Sequence, residues 1–170
     1  GYRPRYEAWR KASVSKAAIP YVDKIIMNDF LSSNNIIYQA FFAEGIYDMG
    51  KLHSIIEYYN SINPDSVKDN YFSDNFGDKF FDYRNSKLIG YIREDIERKR
   101  YELTPKEYAI LLASLIYSID KIANTVGHFD AYIKKEIVYH PLSLQLIKPL
   151  EPKMVEIHKE DSNVLARGIT

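Results

Sequence analysis

The apolar positions of this 170-residue chain fall into segments whose period changes from strand-like to helical and back. Tyr21-Val-Asp-Lys-Ile-Ile-Met27 predicts a short strand, opened after Pro20, whose β-branched end runs into Asn28-Asp29. From Ser33 to Glu44, Ile36, Ile37, Ala40 and Phe41 follow helical spacing, and Gly45 marks a stop. A second helix, from about Met49 to Asn60, carries Leu52, Ile55, Ile56 and Tyr59 and ends before Asn63-Pro64-Asp65. A third, near Asn85 to Arg100, sets Leu88, Ile89, Ile92 and Ile96 on one face. Its other face pairs Glu94 with Arg98 and Asp95 with Lys99. Thr104-Pro-Lys-Glu107 combines an N-cap threonine, a first-turn proline and a capping-box glutamate. The helix it opens should run to about Ala123, and between Tyr108 and Tyr117 only Ser114 is strongly polar, so it should be buried.

The remaining segments carry weaker patterns. Gly1 to Lys16 interleaves aromatic and basic side chains and reads first as a solvated segment, with nucleic-acid contact as the sharper alternative. Asp65 to Tyr83 is irregular, but Tyr71-Phe72 and Phe80-Phe81 argue that it packs against something. Leu142 to Ile147 alternates weakly. Met154 to His158 predicts another short strand, and Asp161 or Ser162 can cap a helix beginning at Asn163.

Composition narrows the function classes. The 46% hydrophobic and 27% charged content is that of one globular domain and argues against disorder. Lys+Arg and Asp+Glu both number 23, so no global field draws the chain to nucleic acid, and any such binding needs a local patch. There is no cysteine, hence no disulfide framework or thiolate metal site, and a cytoplasmic location is expected. No secretory signal is visible, the longest apolar run is too short to cross a bilayer, and no membrane partner is expected.

The chemistry concentrates in two places. Asp29 follows a strand end, where open α/β sheets hold a ribose through its hydroxyls; the plainer reading is a helix N-cap. Ala123 to Lys135 packs Asn124, Thr125, His128, Asp130, Tyr132 and two lysines around Gly127, a recognition loop or simply a helix end and turn. The seven glycines include no pair spaced to cradle a phosphate, and the four histidines make no metal-ligand pair on one helix face, so no metal site is expected. No catalytic triad or other catalytic residue can be named from the residues present.

Four stretches in this order and spacing carry a family resemblance: Ile25 to Asp29, Asn85 to Arg93, Glu107 to Ala113, and Asn124 to Lys134. Together they resemble the adenine-specific DNA methyltransferases, in the branch around the FokI methylase and the small DNA adenine methylases, over roughly residues 22–165. The resemblance implies an α/β fold: a partial Rossmann-like methyltransferase core with a mostly helical insertion. Residues 1–45 would be part of the cofactor-binding core, 46–145 the target-recognition insertion, and 146–170 the return to the core. It implies S-adenosylmethionine as cofactor, its ribose on Asp29 with Asn28 beside it. Double-stranded DNA is the implied partner, with Asn124, Thr125, His128, Tyr132, Lys134 and Arg93 facing DNA or the target adenine.

The departures are equally plain. The family's N-terminal lysine motif, its glycine-rich cofactor loop and its Asp-Pro-Pro-Tyr catalytic motif are not in this sequence. The chain is therefore expected to be a fragment or one polypeptide of a split restriction-modification methyltransferase, completed by a chain carrying those motifs and inactive alone. A non-catalytic DNA-binding module and a helical interaction domain are the alternatives.

Overall fold

The computed structural model describes residues 4–125, 131–150 and 154–168. The elements in order are α1 (Pro4–Ala18), β1 (Lys24–Asn28), α2 (Ser32–Phe42), α3 (Met49–Ser61), α4 (Tyr71–Phe76), α5 (Tyr83–Arg98), α6 (Pro105–Asp120), β2 (Met154–His158) and α7 (Ser162–Gly168), with 3-10 turns before β1, after α3 and after α5. The fold is mixed: it is mostly helical, and among the described residues a two-stranded parallel sheet packs on α2, with Lys24 paired to Met154 and Asn28 to His158. Each strand leads directly into a helix, so the two strand ends and the starts of α2 and α7 share one edge.

Helix α6 is the centre of the core. Thr104 caps it, accepting from Glu107 N at 3.2 Å while the Glu107 carboxylate accepts from Thr104 N at 2.9 Å. Ala109, Ile110, Leu111 and Ala113 are buried to within 1% of completely, and the helix packs against α2 and α5. Burying each large side chain among these stabilises the fold by about 1.5–3 kcal/mol. Glu107 also accepts from Asp48 N at 3.0 Å and Lys51 Nζ at 2.8 Å, fixing the start of α3 against the start of α6. Burial alone would raise the Glu107 pKa; the bonds from Lys51, Thr104 and Asp48 outweigh it and hold the carboxyl below its ordinary value.

Two helices were not anticipated. Helix α1 forms where aromatic and basic residues alternate, burying Ala8 and Ala12 as it packs on α2, while Arg10 and Lys16 are exposed and Lys11 reaches Asp29. Helix α4 forms inside the stretch read as irregular. Asn70 accepts from Phe72 N and Ser73 N at 3.1 Å, and Ser73 returns a capping-box bond to Asn70 N at 2.9 Å. Its rings stack through Phe72, Phe76 and Phe81, with centroids 4.7 and 5.6 Å apart. Helix α6 ends at Asp120, not Ala123, and β1 begins at Lys24 because Ile19–Tyr21 tightens into a 3-10 turn.

Residues 140–150 form an extended strap with no strand partner among the described residues. Leu142, Leu144 and Ile147 point into the core, while helix side chains take the place of a ladder. Asn85 of α5 donates to His140 O at 2.7 Å and accepts from Leu142 N at 3.2 Å. Asn60 of α3 donates to Leu144 O at 3.1 Å and accepts from Leu144 N at 2.8 Å. Ser118 and Ser114 of α6 accept from Gln145 N and Ile147 N, both at 2.9 Å, and Leu150 N reaches Phe41 O at 3.0 Å. These bonds hold backbone groups of His140, Leu142, Leu144, Gln145, Ile147 and Leu150 along the strap.

Candidate functional site

Asp29 sits one residue beyond β1, and its N–H donates to His158 O at 3.2 Å, so the parallel ladder extends to the residue itself. Its carboxylate is buried, 8% exposed, and gathers donors from three elements. Leu31 N reaches Oδ1 at 3.0 Å. Oδ2 accepts from Asn34 Nδ2 at 3.1 Å, Tyr38 OH at 3.3 Å and Lys11 Nζ at 3.3 Å. Asn35 Nδ2 holds the Asp29 carbonyl at 2.7 Å. Burial pushes the Asp29 pKa up, but the Leu31 backbone bond, Asn34 and the Lys11 ammonium together prevail and keep it below its ordinary value. Asp29 is thus an ionised acceptor at neutral pH.

Asp29 is not the N-cap of α2; that position is Leu31, whose N–H the carboxylate accepts instead. Crowding falls on one oxygen. Oδ2 carries three donors and Oδ1 one, and a carboxylate oxygen has two lone pairs, so Oδ1 keeps acceptor capacity. Nearby in sequence, Asn35 is buried with its Oδ1 lacking a hydrogen-bond partner among the described residues. An acceptor-rich strand end of this kind suits a neutral polyhydroxyl group better than an anion.

Asn28 does a different job. Its amide donates to Glu160 O at 2.9 Å and accepts from Glu160 N at 3.1 Å, tying the end of β1 to the turn after β2. Lys159 Nζ adds a bond to Ser32 Oγ at 2.7 Å, and Asp161 accepts from Asn163 N at 2.8 Å to start α7. Asn28 therefore positions the two strand ends relative to each other. Sequence reasoning missed Lys11, Asn34 and Tyr38. The i,i+4 spacing of Asn34 and Tyr38, on the helix directly after Asp29, is the signal that could have found two of them; nothing local marks Lys11.

The polar stretch after α6 is a built corner. Asn124 N donates to Phe80 O at 2.7 Å, and its side-chain amide donates to Lys79 O at 2.9 Å and Ile133 O at 2.8 Å. Thr125 bridges Tyr132 in antiparallel fashion, and the Tyr132 ring stands edge-on to Phe80 with centroids 5.3 Å apart. Tyr132 remains 37% exposed, and Lys134 is exposed with no ion-pair partner among the described residues. His128 lies outside the described residues. Arg93 is remote in sequence and engaged with Glu97 at 3.0 Å. The structure thus brings Asn124, Thr125 and Tyr132 together and gives Asn124 a supporting role within the corner. No group of three metal-ligating side chains occurs among the described residues, and none of the helices described is long and apolar enough to cross a membrane.

Comparison with known proteins gives two partial likenesses. The chain is 43% identical over 56 residues to the type II methyltransferase M.CviAII of Paramecium bursaria Chlorella virus 1, covering 33% of this chain and 17% of that protein. It is 33% identical over 104 residues to the type II methyltransferase M.NlaIII of Neisseria lactamica, covering 54% of this chain and 29% of that protein. The matched stretches span less than a third of either relative's length. No protein-family profile matches the chain, and no solved structure matches it. Both likenesses are to type II methyltransferases.

Proposed function

We propose that this chain is part of a type II DNA methyltransferase that moves a methyl group from S-adenosylmethionine to adenine in duplex DNA. The observation that carries the reading is the partial likeness to two type II methyltransferases, one of which extends over 54% of the chain. The Asp29 site supports it physically. A buried, ionised carboxylate at the carboxyl end of a parallel strand is the acceptor a ribose diol needs. In this reading Asp29 Oδ1 takes a ribose hydroxyl, while Lys11, Asn34 and Tyr38 hold Oδ2 and fix the rotamer. Asn28 keeps the two strand ends in register. The cofactor's sulfonium would supply the activated methyl group.

Residues 1–45 and 146–170 then contribute to a Rossmann-like core, and residues 46–145 form the target-recognition insertion. In this reading DNA is contacted through the corner at Asn124 and Thr125, with Tyr132, Lys134, His128 and Arg93 as further contacts. A glycine-rich cofactor loop and an Asp-Pro-Pro-Tyr motif are not in this sequence, so the complete reaction requires a polypeptide that supplies them.

The test uses tritiated S-adenosylmethionine and adenine-containing duplex DNA, with the chain alone and with a complementary polypeptide carrying both motifs. Label should enter adenine only in the second mixture. Label appearing in cytosine would refute the adenine assignment. Cofactor binding that survives unchanged in Asp29→Ala would remove Asp29 from the site.

A further inference from the structure

A cavity of about 510 Å³ lies between α1, the end of α2, the last turns of α6 and the strap. Its walls are aromatic. Trp9 stands edge-on to Tyr117, with centroids 5.5 Å apart, and to Phe41 at 6.1 Å, and its indole N–H donates to Asp120 at 3.4 Å. Lys16 and Lys148 line the same cavity from opposite segments, and neither ammonium has an ion-pair partner among the described residues. Beside them Lys121 sits 4.1 Å from the centre of the Tyr117 ring. None of the described residues lining the cavity is acidic.

That balance of charge sets it apart from two other cavities. One of about 650 Å³ sets Lys68 beside Asp69 and Glu94, and another of about 510 Å³ sets Lys106 beside Glu44. In both, carboxylates at least offset the cation. In the Trp9 cavity two exposed lysines stand beside aromatic walls with no acidic residue among the described lining, and Asp120, which holds the Trp9 indole N–H, lies outside that lining. Aromatic rings bind a base by stacking whatever its sequence, and lysines bind the phosphates that flank it. A free apolar ligand would leave the lysines unused, and a simple anion would leave the rings unused.

We propose that this cavity takes one nucleotide of a single DNA strand, its base against Trp9, Phe41 and Tyr117 and its flanking phosphates on Lys16 and Lys148. The inference rests on the DNA reading given above and adds a contact outside the insertion. Two lysines on separate segments fit the phosphates on either side of a base within a strand, rather than the single phosphate of a free mononucleotide.

Trp9 is the chain's single tryptophan, so its fluorescence reports on this cavity alone. Titration with a short oligothymidylate should quench it saturably, and thymidine monophosphate should bind much more weakly. Lys16→Gln and Lys148→Gln, both at exposed positions, should each weaken the oligonucleotide about tenfold. Each should also reduce the slope of log affinity against log salt by about 0.7. Tyr117→Leu should weaken binding by a similar factor through lost stacking. Absence of quenching overturns the proposal, as does quenching that both lysine variants leave unchanged, or a mononucleotide that binds as tightly as the strand. Far-ultraviolet circular dichroism of each variant confirms that the fold persists. The titration needs no S-adenosylmethionine, so its failure with cofactor binding intact falls on the cavity, and loss of cofactor binding with quenching intact falls on the methyltransferase reading.

Discussion

Replacing Asn85 and Asn60 in turn by leucine separates the value of a hydrogen bond from the cost of stranding its partner. Both side chains hold the strap by the same chemistry, one donor to a carbonyl and one acceptor for an N–H. They differ in burial: Asn85 is 2% exposed and Asn60 lies at the surface. Asn85→Leu removes two bonds, each with a net value of about 1 kcal/mol, and strands the Leu142 N–H where water cannot reach, a further 1–3 kcal/mol or so. The sum is about 3–5 kcal/mol. Asn60→Leu loses the same two bonds, but solvent can replace them, so its cost should be about 1 kcal/mol.

Urea unfolding followed by circular dichroism measures both. With a slope of about 2 kcal/mol/M, the midpoint should fall by roughly 1.5–2.5 M for Asn85→Leu and by about 0.5 M for Asn60→Leu, the slope itself unchanged. Hydrogen exchange should show local protection lost at Leu144 in Asn60→Leu, where water takes the place of the amide, and kept at Leu142 in Asn85→Leu apart from the fall in global stability. Equal midpoints for the two variants would refute the reasoning, because bond number and not burial would then decide how the strap is held.

Three further outcomes follow from single sites. Gly45 has φ of +152°, and a Cβ there would meet Lys106 Cβ at 2.9 Å, so Gly45→Ala should lower stability by about 1–3 kcal/mol in thermal melts; an unchanged melt would exclude strain at this turn. Asp29 has a folded pKa below its unfolded one, so its contribution is fully present above the unfolded value and disappears as pH falls through the folded value. Asp29→Asn should therefore cost stability at neutral pH and flatten the decline below about pH 4, and an equally steep acid limb would contradict this. Burial pushes Lys106 down to about 8, so between that pH and the ordinary lysine value the unfolded chain binds more protons and stability rises with pH. Lys106→Met should stabilise the protein at pH 7 by on the order of 2 kcal/mol and abolish that rise, as pH-dependent melting would show.

Where local chemistry decides, the sequence could be read. The Thr104 to Glu107 capping box, the apolar faces of α3 and α5, and both strands stand close to where residue spacing put them. Asp95, in contrast, was expected on the solvated face of α5 and is buried, held by Tyr59, Arg98 and Lys99. Asp29 lies at the strand end as its position implied. Long-range partners were not legible. Helix α4 has six residues with rings on several faces, too short for a period to emerge, and its start depends on Asn70 and Ser73 meeting. The weak alternation at Leu142 to Ile147 could not show that asparagines and serines of three helices would replace a strand partner. At the candidate site the carboxylate was visible, whereas Lys11, which holds it from α1, carries no local mark.

The parallel pairing of β1 with β2 also has a consequence in time. Asn28 and Glu160, joined by two hydrogen bonds, are 132 residues apart, and contacts of such separation form late. During synthesis β1 emerges first and waits with unpaired edges while every helix up to α6 is made. The Asp29 carboxylate need not wait, because Lys11, Leu31, Asn34 and Tyr38 all precede or closely follow it in the chain. Assembly of the strand end is thus divided: its acceptor is set early by neighbours, and the crevice around it closes only when the last strand arrives.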